Sequence, residues 1–245
     1  MNSRIYKGID IHIMLKRTPI GKIKSLINQN SKRAKYKEQQ RKKKEYLTHS
    51  INSDSQSATK IFGIGLSRTA TRSLSVALNM LGYRSSHWVY GGNILSLDDF
   101  YYFDASTDTC VSYMFETLYH LFPNSKFIYT TRDESNWVNS VSKHFQCETP
   151  KDLKSKYIDN FKANRNKYPN QYEFNLHYMA IHDGLYGKFD TWSEAYRAHD
   201  QRVNAFFQDH QEKLLVMDIT KGDGWNLLCN FLGKEIPGKA FPIRK

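Results

Sequence analysis

The sequence predicts an α/β fold: a single three-layer domain with a mostly parallel central sheet, preceded by a basic N-terminal extension. Short apolar runs typical of buried strands occur at Lys60–Leu66, Lys126–Thr131 and Leu214–Ile219. Each run is followed by a segment in which apolar residues recur at helical spacing. Strands that alternate with helices in this way favour a parallel sheet with helices on both faces. A length of 245 residues suits one such domain and an extension.

The basic charge of the chain is concentrated at its N-terminal end. Residues 1–57 hold 14 of the 36 Lys and Arg residues but only 4 of the 24 Asp and Glu residues, so the rest of the chain is nearly neutral. The net charge of +12 therefore gives little reason to expect that the domain binds nucleic acid. We predict a basic extension and linker, helical or disordered, over 1–57 and a domain over 58–245. Apolar residues recur at helical spacing after Pro19, so the extension could bind an anionic membrane surface; a tail without specific function is the alternative.

The cysteines and the apolar runs bear on cofactors and on location. Cys110, Cys147 and Cys229 are scattered, without the spacing of a zinc site or of a disulfide framework. We therefore expect no metal site and a reducing compartment. No apolar run has the length of a transmembrane helix, and the first residues lack the pattern of a secretory signal. These observations predict a cytoplasmic protein, with peripheral membrane attachment through the extension as an option.

The first strand leads directly into a polar loop and then a helix. The loop reads SRTATRS over 67–73, and Leu74, Ala77 and Leu78 begin a helical pattern that ends near Gly82. The first N–H groups of a helix have no internal partner, and the helix dipole favours an anion there. The loop lacks the Gly-Lys pair of a nucleotide triphosphatase P-loop. It predicts a site for a ligand that bears phosphate or sulfate; a simple turn with solvated arginines is the alternative.

A second candidate anion site follows the strand that begins at Lys126. Arg132 lies at the carboxyl end of this strand, where ligands bind in open parallel sheets. Ser140 lies about two turns along the next predicted helix, so its hydroxyl could contact the same ligand. The alternative is a capping or surface arginine.

Three segments, in order, resemble PAPS-dependent sulfotransferases. IGLSRTATRSL at 64–74 resembles the 5′-phosphosulfate loop of the branch with the pattern G-x-x-R-T-G-T-T-S-L. KFIYTTRDESNWVNSV at 126–141 is similar to the 3′-phosphate segment, and MDITKGDGWNLLCNFL at 217–232 is similar to a Gly-Asp-Gly-Trp helix of that branch. The resemblance covers roughly 60–242. It implies a P-loop NTPase-like fold and transfer of a sulfuryl group from PAPS, as co-substrate, to a hydroxyl of a glycan, glycolipid or small alcohol.

The resemblance also implies roles for individual residues. Arg68 would act in catalysis as well as in donor binding. Ala70 replaces the usual loop Gly, and Arg72 replaces the usual second Thr. An inactive relative that binds polyanions or membranes is therefore an alternative. A nucleotide-dependent kinase is a weaker alternative, because the P-loop Lys is missing. The residues that would hold PAPS are Arg68, Thr69, Ala70, Thr71, Arg72, Ser73, Arg132 and Ser140.

Asp108 is the first candidate for the general base. It ends the segment DASTD, just before a predicted amphipathic helix. The resembling branch has Asp-x-Pro at this position, and in this sequence Cys110 replaces the Pro. A carboxylate within hydrogen-bond reach can accept the hydroxyl proton of the acceptor. Asp108 could equally be only a helix N-cap. Asp104, His87 and His199 are the other candidates.

The last third of the chain predicts a covering region and then the end of the domain. Residues 143–190 are polar and irregular, so we expect a lid or an acceptor pocket there. A long helix is predicted over Thr191–His210. After the strand Leu214–Ile219, a helix is predicted over Trp225–Leu232 and ends at Gly233.

Overall fold

The structure, a computed structural model, describes residues 34, 37–48, 59–90, 93–164 and 172–244. The chain divides into two units, Met1–Tyr46 and Leu47–Lys245. The basic run is helical over 37–48, where ion pairs such as Arg41–Glu38 join residues about one turn apart. The apolar pattern after Pro19 and the predicted boundary at 57/58 lie outside the described residues.

The domain is built on a seven-stranded sheet with the order β4-β3-β2-β5-β1-β6-β7. The five strands β2, β5, β1, β6 and β7 are parallel, and β3 and β4 extend this sheet as antiparallel strands at one edge. The prediction of a mostly parallel sheet is confirmed. The strands are β1 (Ile61–Gly63), β2 (Ser85–His87), β3 (Val89–Tyr90), β4 (Asn93–Ile94), β5 (Ala105–Thr107), β6 (Lys126–Thr130) and β7 (Leu214–Met217).

Helices connect the parallel strands and cover the sheet. A π-helical turn, Asp183–Gly187, extends one of them, and short 3₁₀ turns at Gln211–Lys213 and Ile219–Lys221 flank the last strand. In chain order the helices of the domain are α1 (Thr71–Met80), α2 (Leu97–Tyr102), α3 (Thr109–Leu121), α4 (Glu134–Phe145), α5 (Pro150–Asn164), α6 (Tyr172–His182), α7 (Trp192–Phe206) and α8 (Trp225–Leu232). Within the part of the chain that the structure describes, none of the helices is both long and apolar enough to cross a membrane.

The core lies on both faces of the sheet. Successive residues of a strand point to opposite faces, and Ile61 and Phe62 of β1 are both almost fully buried. Ile61 packs in a cluster with residues of α1 and α8, whereas Phe62 packs in a cluster with residues of α3 and α7. The sheet is therefore the middle of three layers, as predicted.

One strand was absent from the sequence analysis, and one other segment differs from its expectation. Ala105–Thr107 is a central strand, although its sequence AST has no apolar run. Its hydroxyls are satisfied inside the sheet, because Ser106 Oγ lies 2.9 Å from Ser86 Oγ of the neighbouring strand. Residues 143–190 were expected to be irregular but contain α5, α6 and the π-helical turn. Aromatic packing against the domain, rather than local propensity, stabilises these helices.

Candidate functional site

The carboxyl ends of the parallel strands open into one cleft of about 790 Å³. The loops that follow β1, β5 and β6 form most of its walls, and the turn after β7 completes them. Arg68 and Arg132, which lie 64 positions apart in the chain, both line it. In open parallel sheets this edge is the usual position for ligands.

Side-chain donors hold the loop after β1 in place. The carbonyl oxygens of five consecutive residues each accept a hydrogen bond from a side chain of a different residue. Because these carbonyls are turned toward the protein, the loop is fixed before any ligand binds. The bonds are His199 Nε2 to Ile64 O (2.8 Å), Ser112 Oγ to Gly65 O (2.7 Å), Thr69 Oγ1 to Leu66 O (2.7 Å), Trp137 Nε1 to Ser67 O (2.8 Å) and Arg132 Nη1 to Arg68 O (3.1 Å).

The N-terminus of α1 faces the cleft without a cap. The N-cap position, Ala70, makes no side-chain hydrogen bond, and the first turn contains no acidic residue. Thr71, Arg72 and Ser73 of this turn line the cleft. Ser73 Oγ accepts a hydrogen bond from the N–H of Arg244 at 2.8 Å, which leaves its own proton available to donate. An uncapped helix N-terminus beside guanidinium groups is suited to bind an anion.

Backbone strain is concentrated around this cleft. Arg68 (φ 73°), Ala70 (φ 67°) and Asp108 (φ 89°) adopt positive φ angles, and all three line the cleft. For a residue with a Cβ atom this conformation costs roughly 1–2 kcal/mol. Ala70 therefore adopts the left-handed conformation that a Gly would adopt without strain.

Replacing Ala70 by Gly is expected to raise the free energy of unfolding by about 1 kcal/mol, because Gly tolerates the left-handed conformation. Ala77→Gly is the matched control, since Ala77 is a buried residue inside the same helix. That change is expected to lower the free energy of unfolding by about 1 kcal/mol. Urea denaturation of the two variants measures both effects. A loss of stability in Ala70→Gly would contradict the prediction.

Thr69 is the one predicted loop residue that the structure places away from the cleft. Its side chain is 1 % exposed, and its hydroxyl bonds to Leu66 O and lies 2.8 Å from Thr130 Oγ1. The loop approaches β6 closely here, because a Cβ atom on Gly65 would lie 2.0 Å from Thr130 Oγ1. Thr69 therefore fixes the loop against the sheet, and its hydroxyl is not directed at a ligand.

Arg132 and Ser140 both line the cleft, and each contacts Arg68. The Nε of Arg68 donates to Ser140 Oγ at 3.1 Å. The hydroxyl of Tyr196 donates to the carbonyl of Arg132 and so holds the turn after β6. Within the described ranges, the Nε of Arg132 is buried without a hydrogen-bond partner. A buried guanidinium N–H normally has an acceptor, so this donor fits an anionic ligand.

Asp108 is both a helix cap and a cleft residue. Its Oδ1 accepts from the N–H of Thr109 at 2.8 Å, which caps α3, and from Ser67 Oγ at 3.2 Å. Its Oδ2 lies 3.2 Å from Nε2 of His87, and Nδ1 of His87 lies 3.0 Å from Thr107 Oγ1. Burial lowers the pKa of His87. The charge of Asp108 acts to raise this pKa, and the charge of Arg72 acts to lower it. A neutral His87 with its proton on Nε2 therefore donates to the carboxylate.

The other candidate bases lie elsewhere. Asp104 lies at the amino end of β5, away from the cleft, and both of its carboxylate oxygens bind Arg84 there. His199 is buried behind the loop, where its Nε2 donates to Ile64 O. Only Asp108 and His87 of the four candidates line the cleft.

Acidification is expected to destabilise the protein through His199 and His182. Burial lowers the pKa of each from 6.5 to about 4. Between pH 6.5 and pH 4 the unfolded chain binds protons that the folded protein does not. The free energy of unfolding therefore falls by roughly a few kcal/mol as the pH is lowered. Urea denaturation at several pH values measures this fall. His199→Gln should reduce the pH dependence, whereas the same change at the exposed His177 should not; equal slopes in both variants would contradict the prediction.

Two ionisable cleft residues, His144 and Arg244, escaped the sequence analysis. His144 lines the cleft one turn after Ser140 on α4, so the i, i+4 spacing could have identified it. Burial, with Arg68 as a second cause, lowers the pKa of His144. Arg244 reaches the cleft from an irregular segment near the end of the chain. Among the described residues, no group of three His, Cys, Asp or Glu side chains is arranged to hold a metal ion.

The fold and the cleft define an α/β protein with arginines and an uncapped helix N-terminus at the carboxyl ends of its parallel strands. Comparison with known families identifies it further. The family model described as "Sulfotransferase domain" matches residues 60–93 and 97–245, and the chain belongs to this family. No curated protein matches the sequence significantly. Family membership supports sulfuryl transfer as the general activity.

Proposed function

We propose that this protein transfers a sulfuryl group from PAPS to a hydroxyl group of an acceptor. One observation carries the proposal: Arg68 and Arg132 line the same cleft, and the guanidinium of Arg132 donates to the carbonyl of Arg68 at 3.1 Å. A single ligand can therefore contact both arginine-bearing turns. PAPS bears anionic groups at its 5′ and 3′ positions, which suits a cleft with two such turns.

The residues of the cleft fit this donor at both ends. The uncapped N-terminus of α1, with Arg68 and Arg72, would hold the 5′-phosphosulfate. Arg132, whose buried Nε has no partner within the described ranges, would hold the 3′-phosphate together with Ser140. When bound, PAPS supplies the activated sulfuryl group.

Asp108 and Arg68 would act in the transfer itself. Asp108 accepts the hydroxyl proton of the acceptor as the acceptor oxygen bonds to sulfur and the bond between sulfur and the phosphate oxygen breaks. His87 donates to the same carboxylate and keeps it oriented. Arg68 stabilises the charge that grows on the leaving phosphate. Its contribution is electrostatic, because a guanidinium does not readily give up a proton.

Radiolabelled PAPS tests this function directly. The protein is incubated with the labelled donor and a panel of glycans, glycolipids and small alcohols, and we expect a labelled product together with adenosine 3′,5′-bisphosphate. Arg68→Ala should abolish most of the transfer. Arg197→Ala is the control, because Arg197 forms an exposed ion pair with Glu134 away from the cleft. Failure of calorimetry to detect binding of adenosine 3′,5′-bisphosphate would overturn the proposal.

A further inference from the structure

A second hollow, here called the side chamber, adjoins the cleft at Asp108. Its volume is about 320 Å³. Asp108, His87, Ser67 and His144 line both the cleft and the side chamber, so the two spaces share a wall. A molecule in the side chamber can therefore reach the same carboxylate that the donor cleft presents. The side-chamber residues that do not line the cleft are Trp88, Val89, Thr109, Phe145, Tyr178 and His182.

The walls of the side chamber are mostly aromatic and support one another. Trp88 packs edge-to-face on Tyr178, with 5.1 Å between ring centroids, and on His182 at 5.5 Å. Phe145 contacts His182 edge-to-face at 5.4 Å. Nδ1 of His182 lies 2.8 Å from the carbonyl of Tyr178, which orients its ring. Because the rings form a connected set, they define the shape of the space before any ligand enters.

The side chamber also differs from the cleft in charge. The cleft is lined by Arg68, Arg72, Arg132 and Arg244, whereas no Lys or Arg occurs among the described residues that line the side chamber. Asp108 supplies the carboxylate there. Burial lowers the pKa of His182 to about 4 and also lowers that of His144, so both rings are neutral at physiological pH. An anionic molecule would meet no cation in this space and would face the Asp108 carboxylate.

We propose that the side chamber is the acceptor site and that its ligand is a small, neutral aromatic alcohol of the phenol class. The ring of the acceptor packs against Trp88 and Tyr178, and its hydroxyl points at Asp108. This inference rests on the proposed function, since it names the acceptor of that reaction. The acceptor oxygen bonds to sulfur, the bond from sulfur to the donor phosphate breaks, and the phenolic proton passes to Asp108. A volume of about 320 Å³ accommodates a molecule of one or two rings.

A matched pair of probes tests the preference for a neutral ring. 2-Naphthol and 6-hydroxy-2-naphthoate present the same hydroxylated ring system, but the second carries a carboxylate. We expect 2-naphthol to bind at least about tenfold more tightly in the presence of adenosine 3′,5′-bisphosphate. The intrinsic fluorescence of the probes measures binding without turnover. Equal binding of the two probes would overturn the inference.

Substitutions at Tyr178 and Met179, neighbouring positions of α6, test whether the probe binds in the side chamber. Tyr178→Ala removes a wall of the side chamber and should weaken 2-naphthol binding roughly tenfold. Met179→Ala is the matched control, because Met179 does not line the side chamber and instead lines a neighbouring hollow between α5 and α6, which shares His182 with it. Val89→Glu is a second variant that is expected to keep the fold, since Val89 is 36 % exposed. It places a carboxylate in the side chamber and should weaken 2-naphthol binding as well. Unchanged binding in folded Tyr178→Ala and Val89→Glu proteins would overturn the inference.

The failure of this inference can be distinguished from failure of the proposed function. Binding of adenosine 3′,5′-bisphosphate by calorimetry reports on the donor cleft alone. If this nucleotide binds while 2-naphthol does not, the phenol site is wrong and the donor proposal stands. If the nucleotide does not bind, the donor proposal fails, and probe binding to the free protein still decides whether the side chamber takes a neutral ring.

Discussion

Replacing Asp108 by Asn is expected to lower kcat for sulfuryl transfer by roughly 10²–10³-fold, because the proposed general base is lost. The fold should persist. Asn is as good an N-cap as Asp, and its amide oxygen can still accept from Thr109 N–H and Ser67 Oγ. The dissociation constant of adenosine 3′,5′-bisphosphate should change by no more than about twofold. Initial rates with radiolabelled PAPS, together with calorimetry, measure both quantities.

Asp104→Asn is the control for this prediction. Asp104 directly precedes β5, and Asp108 directly follows it, so the two residues lie at opposite ends of the same strand. Its carboxylate pairs with Arg84 at 2.9 Å, so the change should cost about 1 kcal/mol of stability and leave kcat unaltered. If Asp108→Asn keeps a near-normal kcat, Asp108 is not the base, although the donor site could still be correct.

Replacing Arg132 by Ala is expected to weaken the binding of adenosine 3′,5′-bisphosphate by roughly 30- to 100-fold, about 2–3 kcal/mol. Arg132 supplies charge-assisted hydrogen bonds to the 3′-phosphate in the proposed complex, and its Nε has no other partner within the described ranges. Adenosine 5′-monophosphate lacks the 3′-phosphate, so its affinity should fall only a few-fold. Isothermal titration calorimetry of both nucleotides separates the contribution of the 3′-phosphate from any general change in the cleft.

The comparison of the two nucleotides matters because Arg132 also supports the first loop. Its Nη1 donates to the carbonyl of Arg68, so the Ala variant could disturb the 5′ end of the site as well. Equal losses for the two nucleotides would show that Arg132 acts through the loop and would contradict its assignment to the 3′-phosphate. Arg197→Ala, which removes a guanidinium whose side chain is 67 % exposed, should leave both affinities unchanged.

The local elements of the fold were largely predictable. α8 has the predicted bounds and ends at Gly233, which adopts the left-handed conformation typical of a helix C-terminus. The strand, loop and helix from Lys60 to Gly82 follow the expected order. These features depend on residues close together in the chain, and hydrophobic period and turn chemistry report on such residues.

The composition of the site was predictable only in part. The sequence analysis named Arg68, Arg132 and Asp108, which line one cleft. It also named Thr69 among the residues that would hold PAPS; in the structure the Thr69 hydroxyl donates to Leu66 O and lies 2.8 Å from Thr130 Oγ1. The direction of a side chain in a tight loop depends on the neighbour it meets, here a strand about 60 positions later in the chain. No local pattern contains that information.

The sequence by itself located two candidate anion sites: a helix start flanked by arginines, and an arginine directly after a strand. Only the tertiary structure decided which carboxylate joins them. β5 pairs with β2 and β1, which sets Asp108 beside His87 and in the cleft, while Asp104 remains at the opposite edge with Arg84. The polar strand Ala105–Thr107 finds its partners through hydrogen bonds to strands about 20 and 44 positions earlier. Such pairing depends on the assembled sheet, because a strand without an apolar pattern of its own is stable only between its neighbours.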